Sequence, residues 1–562
     1  MKGLSGRRKF CLIEAAAIAI LVFFIAGTAQ AYRFETGTDW DVNLDNSIQY
    51  TIGWRAQSMD QEIANHPFYA MGDYKFPDTG DVVTNRIQDI IELQGVYQNR
   101  MGFRVSGSLW KDFGYDDEVK TNPADFIPGI PYSAFISYPS GIYSSNTSKY
   151  HVQGGELLDA FVFWNTSICD TPVYVKAGRV TQFWGNAFFF GFSNIAYSQH
   201  PVDFIKAFSQ PGSEVKELFL PRTQLLIATD LSPELSIAAQ YFFEFRPNRF
   251  PEGGTYLGPF DILYEGPQGS GALVFYGVNP VVNDPNEPAE SHGNFGVKVS
   301  WAPEWAKGDL GFYFRRFDEV QPWTALLDST GAMRMDYATG VKLYGLSYER
   351  SFGLISTAFE VSYRQDTGLQ TTPLSNQGGT TGDIVNVIAN TMIQLGTTPL
   401  WQTGIFIGEL TYTHLVSLGD NEALYNGVGH PACAGLNWRD GCATDDSIAF
   451  AMLFDPQWLQ VFPGVDFDLP ISLTYGINGN PAYTAGPFYA QGTKIYSFGI
   501  KALFYSKHSI ALQYNGYSWR TADSALTPAG QPYYSGNNGF GGNGPIGLSD
   551  KGWIQLTFKT SF

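Results

Sequence analysis

The last twelve residues, Lys551 to Phe562, constrain the fold more than any other stretch. Ile554, Leu556, Phe558 and Phe562, with Thr560 among them, fall on one face of a period-2 pattern, and Gln555, Thr557, Lys559 and Ser561 fall on the other. A strand with one apolar and one polar face fits between lipid and a wet interior. It also fits the surface of a soluble sheet, so the rest of the chain has to decide.

The start of the chain favours the membrane. Lys2, Arg7, Arg8 and Lys9 precede an apolar run from Ala15 to Ala26, and Ala29-Gln30-Ala31 has the small-x-small form of a cleavage site. This predicts a signal peptide over 1–31, cleavage after Ala31 and a mature chain from Tyr32. Cys11 lies ahead of the apolar run, outside any lipoprotein-type processing context, so no lipid anchor is expected. After residue 31 nothing approaches the run of about 20 apolar residues that a spanning helix needs, and mean hydropathy is -0.13. Aromatics nonetheless make up 16% and glycine 61 of 562 residues, which suits aromatic girdles and glycine-rich strands. Net charge is -18, or -21 without the first 31 residues, which argues against nucleic acid as a partner.

Cysteine use agrees with export. Cys433 and Cys442 are close enough to bridge a loop, and Cys169 has no obvious mate. A metal at the pair would want more ligands than His430, because Asp440, Asp445 and Asp446 are hard oxygen donors. The disulfide is the favoured reading, with no metal or cofactor expected.

Strand candidates come in pairs. A first strand over Ser47 to Arg55 is followed by 86–98 with 102–112, 156–166 with 172–181, 222–230 with 234–246, 293–302 with 308–318, 341–351 with 354–365, and 494–505 with 508–518. The clearest alternation sets Leu235, Ile237, Ala239, Tyr241, Phe243 and Phe245 against Ser236, Ala238, Gln240, Phe242, Glu244 and Arg246. In 466–476, Pro470 cannot donate a ladder hydrogen bond, so that strand starts late. An even count requires one more strand, at Ile384 to Leu395, a stretch that a helix also fits, turning at 397–401 into 402–415. The expected fold is an all-β transmembrane antiparallel barrel of about 18 strands, with sixteen as the alternative, forming one domain over 32–562. Long loops fall together at one end, including 57–85, 113–155, 247–292 and 416–445.

The loop 181–221 is apolar rather than acidic. It carries Phe183, Trp184, Phe188, Phe189, Phe190, Phe192, Phe204 and Phe208, and Val215, Leu218 and Phe219 recur at helical spacing. Such a patch is costly in water, so the loop is expected to fold into the barrel as an aromatic constriction or plug. The bland alternative is a pad packed on other loops. Arg179 ends a strand and is expected to reach Asp203 and Glu214 of the insert, with Lys216 beside them. Charges on the inward register are Arg104, Asp159, Lys176, Glu244, Lys298, Arg315, Glu349, Glu360, Arg364, Glu409 and Lys501, expected as mutually paired rungs.

Gly178-Arg179, Trp184-Gly185, Pro201-Val202-Asp203, the run Pro211 to Glu217, Leu220-Pro221, and then Arg246-Pro247, Pro251-Glu252, Gly254-Thr255-Tyr256 and Asp261 together resemble the signature of a family of Gram-negative barrels, domain of unknown function 1302. The terminal Phe562 is similar to the aromatic insertion signal of outer-membrane barrels. Two positions depart from the family pattern. His200 stands where Asn is common, and Gly253 where Cys is frequent, which removes a family-type disulfide there. The resemblance implies an outer-membrane channel encoded near resistance-nodulation-division-type transporters of lipids or hydrophobes, with periplasmic or inner-membrane partners.

Residues and resemblance converge on a channel for hydrophobic or amphipathic small molecules, set among outer-membrane lipid and lipopolysaccharide. A general diffusion porin would want a polar, charged constricting loop. A barrel enzyme would want a nucleophile and base, yet no G-x-S-x-G occurs and His151, His200, His292 and His414 fit no catalytic motif. A structural or adhesin barrel would rest on the acidic loops, with Asp116, Asp117 and Glu118 as weak cation ligands.

Overall fold

The computed structural model describes residues 32–34, 39–68, 70–116, 118–137, 141–210, 218–261, 271–272, 293–327, 333–373, 375–535 and 541–562. The signal-peptide reading over 1–31 lies outside them, as do Asp117, His292, Glu214 and Lys216.

Eighteen antiparallel strands form one closed sheet. In chain order they are β1 (Trp40–Arg55), β2 (Val82–Tyr97), β3 (Met101–Asp112), β4 (Gln153–Ile168), β5 (Thr171–Val180), β6 (Arg222–Ser232), β7 (Leu235–Phe242), β8 (Phe295–Trp301) and β9 (Asp309–Phe317). They continue as β10 (Val341–Phe352), β11 (Ile355–Gly368), β12 (Thr381–Gln394), β13 (Thr403–Leu418), β14 (Asp446–Phe462), β15 (Val465–Asp468 and Ile471–Asn478), β16 (Lys494–Phe504), β17 (His508–Ser518) and β18 (Trp553–Ser561). Each pairs with its neighbours in sequence, and β18 closes the sheet on β1 from Ser47↔Ser561 to Arg55↔Trp553. The short strand Tyr32–Phe34 adds to β1 near its start.

Alternation explains which face is which. On β10, Tyr344 and Leu346 are exposed while Val341, Leu343 and Ser347 are buried, and on β3 Val105 and Leu109 are exposed while Ser106, Ser108 and Trp110 are buried. The exposed face is an apolar outer band, and the buried face turns to the barrel interior. Pro470 interrupts β15, and its carbonyl instead accepts the Gly499 amide at 3.0 Å. Three tight turns place consecutive non-glycine residues in the left-handed region: Gln98 and Asn99, Cys169 and Asp170, Tyr505 and Ser506. This is the mirror-image turn whose twist matches paired strands.

Eight short turns share one end, and nine longer loops share the other. The strand over Ile384 to Leu395 is present as β12. The expected strand 234–246 ends at Phe242 instead. Its partner β6 reaches back to Arg222, but Thr223 gives its amide to the Glu244 carboxylate at 2.8 Å rather than to a β7 carbonyl, so the ladder stops at Gln224↔Phe242. Phe245 lies beyond the strand, against Tyr337 with ring centroids 5.0 Å apart. At the loop end a buried charge cluster ties loops to wall: Arg55 bonds Asp73 at 2.8 Å and Asp550 at 3.0 Å, and Lys551 bonds Asp73 at 3.0 Å. Burial pushes the Asp550 carboxyl above its ordinary range. Cys433 and Cys442 form a disulfide in the loop after β13, and Cys169 is free and exposed.

Candidate functional site: the insert between β5 and β6

Residues 181–221 leave the wall at Val180 and return at Arg222. Around Pro201 the chain makes an isolated bridge from Val202 to Phe219 and a parallel one from Asp203 to Arg249. A short helix, α1 (Phe204–Ser209), follows, with Asp203 as N-cap accepting the Lys206 amide. Sequence spacing pointed to a helix further on, through Val215 to Phe219. Of that stretch Leu218 and Phe219 are described: Leu218 is helical, and Phe219 next to it is in extended pairing with Val202.

The insert is held mainly by its backbone. Glu360 on β11, only 2% exposed, accepts the amides of Asn186, Ala187 (3.0 Å) and Ile195 (3.1 Å). Glu409 on β13, 1% exposed, accepts those of Phe188 (2.6 Å), Phe189 (2.8 Å) and Phe190 (2.8 Å). Asn390 on β12 donates to the Asn186 carbonyl at 2.8 Å and to Glu409 at 3.3 Å. Two carboxylates thus collect six amides of turns that have no ladder of their own, the need that buried backbone imposes. Gly185 makes this approach feasible: it sits at φ +87°, and a Cβ there would lie 2.4 Å from the Glu360 carboxylate.

Cations serve the insert's carbonyls in the same way. Arg315 on β9 donates to Ile195 O at 2.9 Å and Tyr197 O at 2.6 Å, and Arg222 donates to Ser198 O at 3.3 Å. Arg364 on β11 stacks over Tyr197 at 4.1 Å and Tyr483 at 5.4 Å. His200 accepts the Gln182 amide at 2.9 Å, and Gln199 donates to Gln240 at 2.9 Å.

Below these ties the rings pack together. Phe204 stacks on Phe250 with centroids 4.4 Å apart, on Phe192 at 5.4 Å and on Phe488 at 5.8 Å. Phe250 and Phe488 come from the loops after β7 and β15, and neither was singled out in the sequence. Three spaces surround the insert. A vestibule of about 730 Å³ at the turn end is lined by Phe183, Gly185, Phe188, Lys307, Glu349 and Asn390. An apolar pocket of about 110 Å³ lies between α1 and β14–β16. A cavity of about 380 Å³ runs between α1 and the arc of β18 and β1–β4. His151 borders this last cavity as a neutral ring, its pKa pushed down to about 3 by burial.

The expected constriction residues therefore divide. Trp184, Phe190, Phe192 and Phe204 are buried, whereas Phe183, Phe188 and Phe189 keep partly open faces. Phe192 and Phe204 still border the apolar pocket, but Trp184 and Phe190 are packing residues rather than lining. The expected tie from Arg179 to Asp203 is absent among the described residues. Asp203 bonds Arg249 at 3.1 Å, and Arg249 also binds Glu156. The parallel bridge carries Arg249 to Asp203, while Arg179, at the top of β5, acts electrostatically on Glu156 and Asp159.

The inward charges also split. Arg104 bonds Glu92 and lies 3.4 Å from Asp159, and Lys501 bonds Asp468 at 2.9 Å. Glu349 sits opposite Asp309, with Lys298 acting on it electrostatically. Lys176 lies over Phe161 at 4.8 Å and Lys298 over Tyr313 at 5.7 Å. Glu244, past the end of β7, accepts the Thr223 amide at 2.8 Å. Among the described residues Glu360, Glu409 and Arg315 form no ion pair and bond the insert's backbone instead, while Arg364 stacks on a ring of the insert and acts electrostatically on Glu319. Sequence offered one signal for this, an isolated glutamate in the middle of each of two apolar strands.

A family model described as protein of unknown function (DUF1302) matches residues 12–562. Among curated proteins no sequence matches. Solved structures similar to the chain include Pseudomonas aeruginosa OpdK with vanillate (10% identity, TM-score 0.41, 93% of this chain and 98% of that one). Others are the outer membrane channel DcaP of Acinetobacter baumannii (10%, 0.34, 95% and 100%) and Pseudomonas putida OprB (11%, 0.34, 93% and 94%). Likeness at this level leaves function to the chain's own geometry.

Proposed function

The chain belongs to the DUF1302 family, whose description assigns no activity, and from its geometry we propose that it is an outer-membrane channel for hydrophobic or amphipathic small molecules. The observation that carries this reading is the insert: an aromatic body tied through its backbone to inward side chains of a closed barrel, with cavities bordered by rings on either side of it. The exposed apolar band suits lipid, and the turn-filled end suits the periplasm with the long loops outside. Phe183 and Phe188 at the vestibule and Phe189, Phe192 and Phe204 at the apolar pocket are the permeant's contacts in this reading, and Trp184 and Phe190 hold them in place. A resistance-nodulation-division-type transporter is the proposed partner on the inner side.

Proteoliposome flux tests the reading. The protein should admit a hydrophobic dye faster than a polar solute of equal mass, and removal of 186–198 should erase that preference while raising polar leakage. Equal passage of both solutes through the intact protein would point to a general diffusion porin. No flux at all would point to a structural barrel.

A further inference from the structure

The wall that faces the insert from β10 to β14 is built of short side chains. At one level five neighbouring strands turn Gly345, Ser362, Asn386, Thr413 and Ser447 inward, each opposite the next in the ladder. The side chain of Ile195 covers Gly345, where a Cβ would lie 3.0 Å from it. From Ser362 onward the wall carries hydrogen-bonding groups that the protein leaves unused. Among the described residues the hydroxyls of Ser362 and Thr411 and the amide nitrogen of Asn386 have no partner, although all three residues are buried. On the insert, buried Asn194 has neither its side-chain oxygen nor its nitrogen paired. The next residue, Ile195, gives its amide to Glu360 and its carbonyl to Arg315, which holds Asn194 against this part of the wall.

The row continues in both directions. Toward the turns, Thr411 is followed on the same face of β13 by Glu409, and Asn390, which bonds Glu409 at 3.3 Å, borders the vestibule. Toward the loops, Ser362 is followed on β11 by Arg364, none of whose guanidinium nitrogens has a hydrogen-bond partner among the described residues. Its charge acts on Glu319, where Oε2 is unpartnered as well. The stretch of β12 from Asn390 to Ile384, the residue level with Arg364, measures about 20 Å at the rise of a strand. That is most of the height of an apolar band of about 25 Å.

Buried donors and acceptors in folded proteins are nearly always paired, with protein or with ordered water, and one buried water bonds about three such groups. The stretches that meet here, 181–210, 341–368 and 381–418, are described throughout. Unused donors and acceptors spaced along one face are what a file of waters would bond. The pocket against β14–β16 is its opposite, bordered by Phe192, Phe204 and Phe208.

We propose that the contact between the insert and β11–β13 is wetted by a file of water molecules and forms a route for water and small monovalent ions past the insert. The route is separate from the ring-lined pocket and does not depend on the hydrophobe reading.

Conductance of the protein in planar bilayers in potassium chloride, with dye flux in proteoliposomes measured alongside, tests it. Ser362→Ala and Thr411→Val together remove two hydroxyls with little change in volume. An apolar lining expels water from a narrow path, so conductance should fall severalfold while dye flux stays at the unaltered level. Folded variants are recognised by heat-modifiable gel mobility. A high-resolution crystal structure of the unaltered protein should show ordered waters on Asn194, Ser362, Asn386 and Thr411, and this needs no variant. Conductance unchanged by the paired substitution overturns the route. So does a rise in the melting midpoint on Thr411→Val, which is what removing an unpartnered hydroxyl buried dry would give. Equal falls in conductance and dye flux would mean one shared path and overturn it too. A protein that passes no dye, yet loses conductance as expected on substitution, keeps the water route and removes the hydrophobe reading.

Discussion

Two arcs of the same wall meet their interiors in different ways. From β9 to β13, inward Arg315, Glu360 and Glu409 reach the backbone of the insert. From β2 to β4 Arg104 instead pairs with Glu92 and Asp159, and further along the same arc a cavity is left open. A buried charge must be compensated wherever it sits. What compensates it therefore reports what occupies that side of the barrel: peptide groups where protein fills the lumen, opposite charges where space is left.

The sharpest way to break this contrast is Glu409→Ala. It strands the amides of Phe188, Phe189 and Phe190, each losing a bond worth about 1.5–3 kcal/mol, so the turn should detach and proteoliposomes should leak small polar solutes. Glu409→Gln keeps an acceptor oxygen and should leak less. Polar leakage that stays at the unaltered level in both would mean that the carboxylate does not hold the insert.

Next in size is Arg249→Met, which leaves Glu156 and Asp203 without their shared cation. Removing one partner of a buried pair costs about 3–5 kcal/mol, and hydrogen exchange in α1 should accelerate while the strands stay protected. Uniform acceleration through β1–β4 would show that Arg249 supports the wall rather than the insert. Phe488→Leu trims one member of the ring stack and should cost about 1 kcal/mol, read as a small fall in the melting midpoint with faster dye entry. The smallest effect belongs to Arg104→Gln. Its side chain is 36% exposed, so the loss should stay within about 1 kcal/mol, with melting and flux nearly unchanged. A large loss there would make the cavity arc as tightly packed as the insert arc and dissolve the distinction.

Period-2 alternation found most of the strands, because a wall with lipid on one side and the barrel interior on the other writes its register into every second residue; β12 needed the even-count argument as well, and β14 was not singled out in the sequence. Their ends were less visible. β7 stops at Phe242 although alternation runs on to Arg246, since the Thr223 amide across from it is taken by the Glu244 side chain. The aromatic loop was visible as a composition anomaly, but its fastenings were not. Glu360 and Glu409 lie 165 to 221 residues from the amides they accept, a separation at which no local pattern speaks. The same distance effect misdirected Arg179: it adjoins the insert in sequence, whereas Arg249, 46 residues beyond Asp203, is the residue that meets it.

The pairing of β18 with β1 also sets a temporal order. Ser47 and Ser561 touch across a separation of 514 residues, so the seam cannot zip until the final strand has been delivered. Until then the sheet carries two raw borders of unpaired amides and carbonyls, each a template for mispairing with another chain. Joining such distant segments is also slow, because the ends of a long tether must find each other first. A nascent chain of this kind spends its vulnerable interval as an open ribbon. Shortening β18 from its end should lengthen that interval, trading mature barrels for aggregates long before it weakens those that do close.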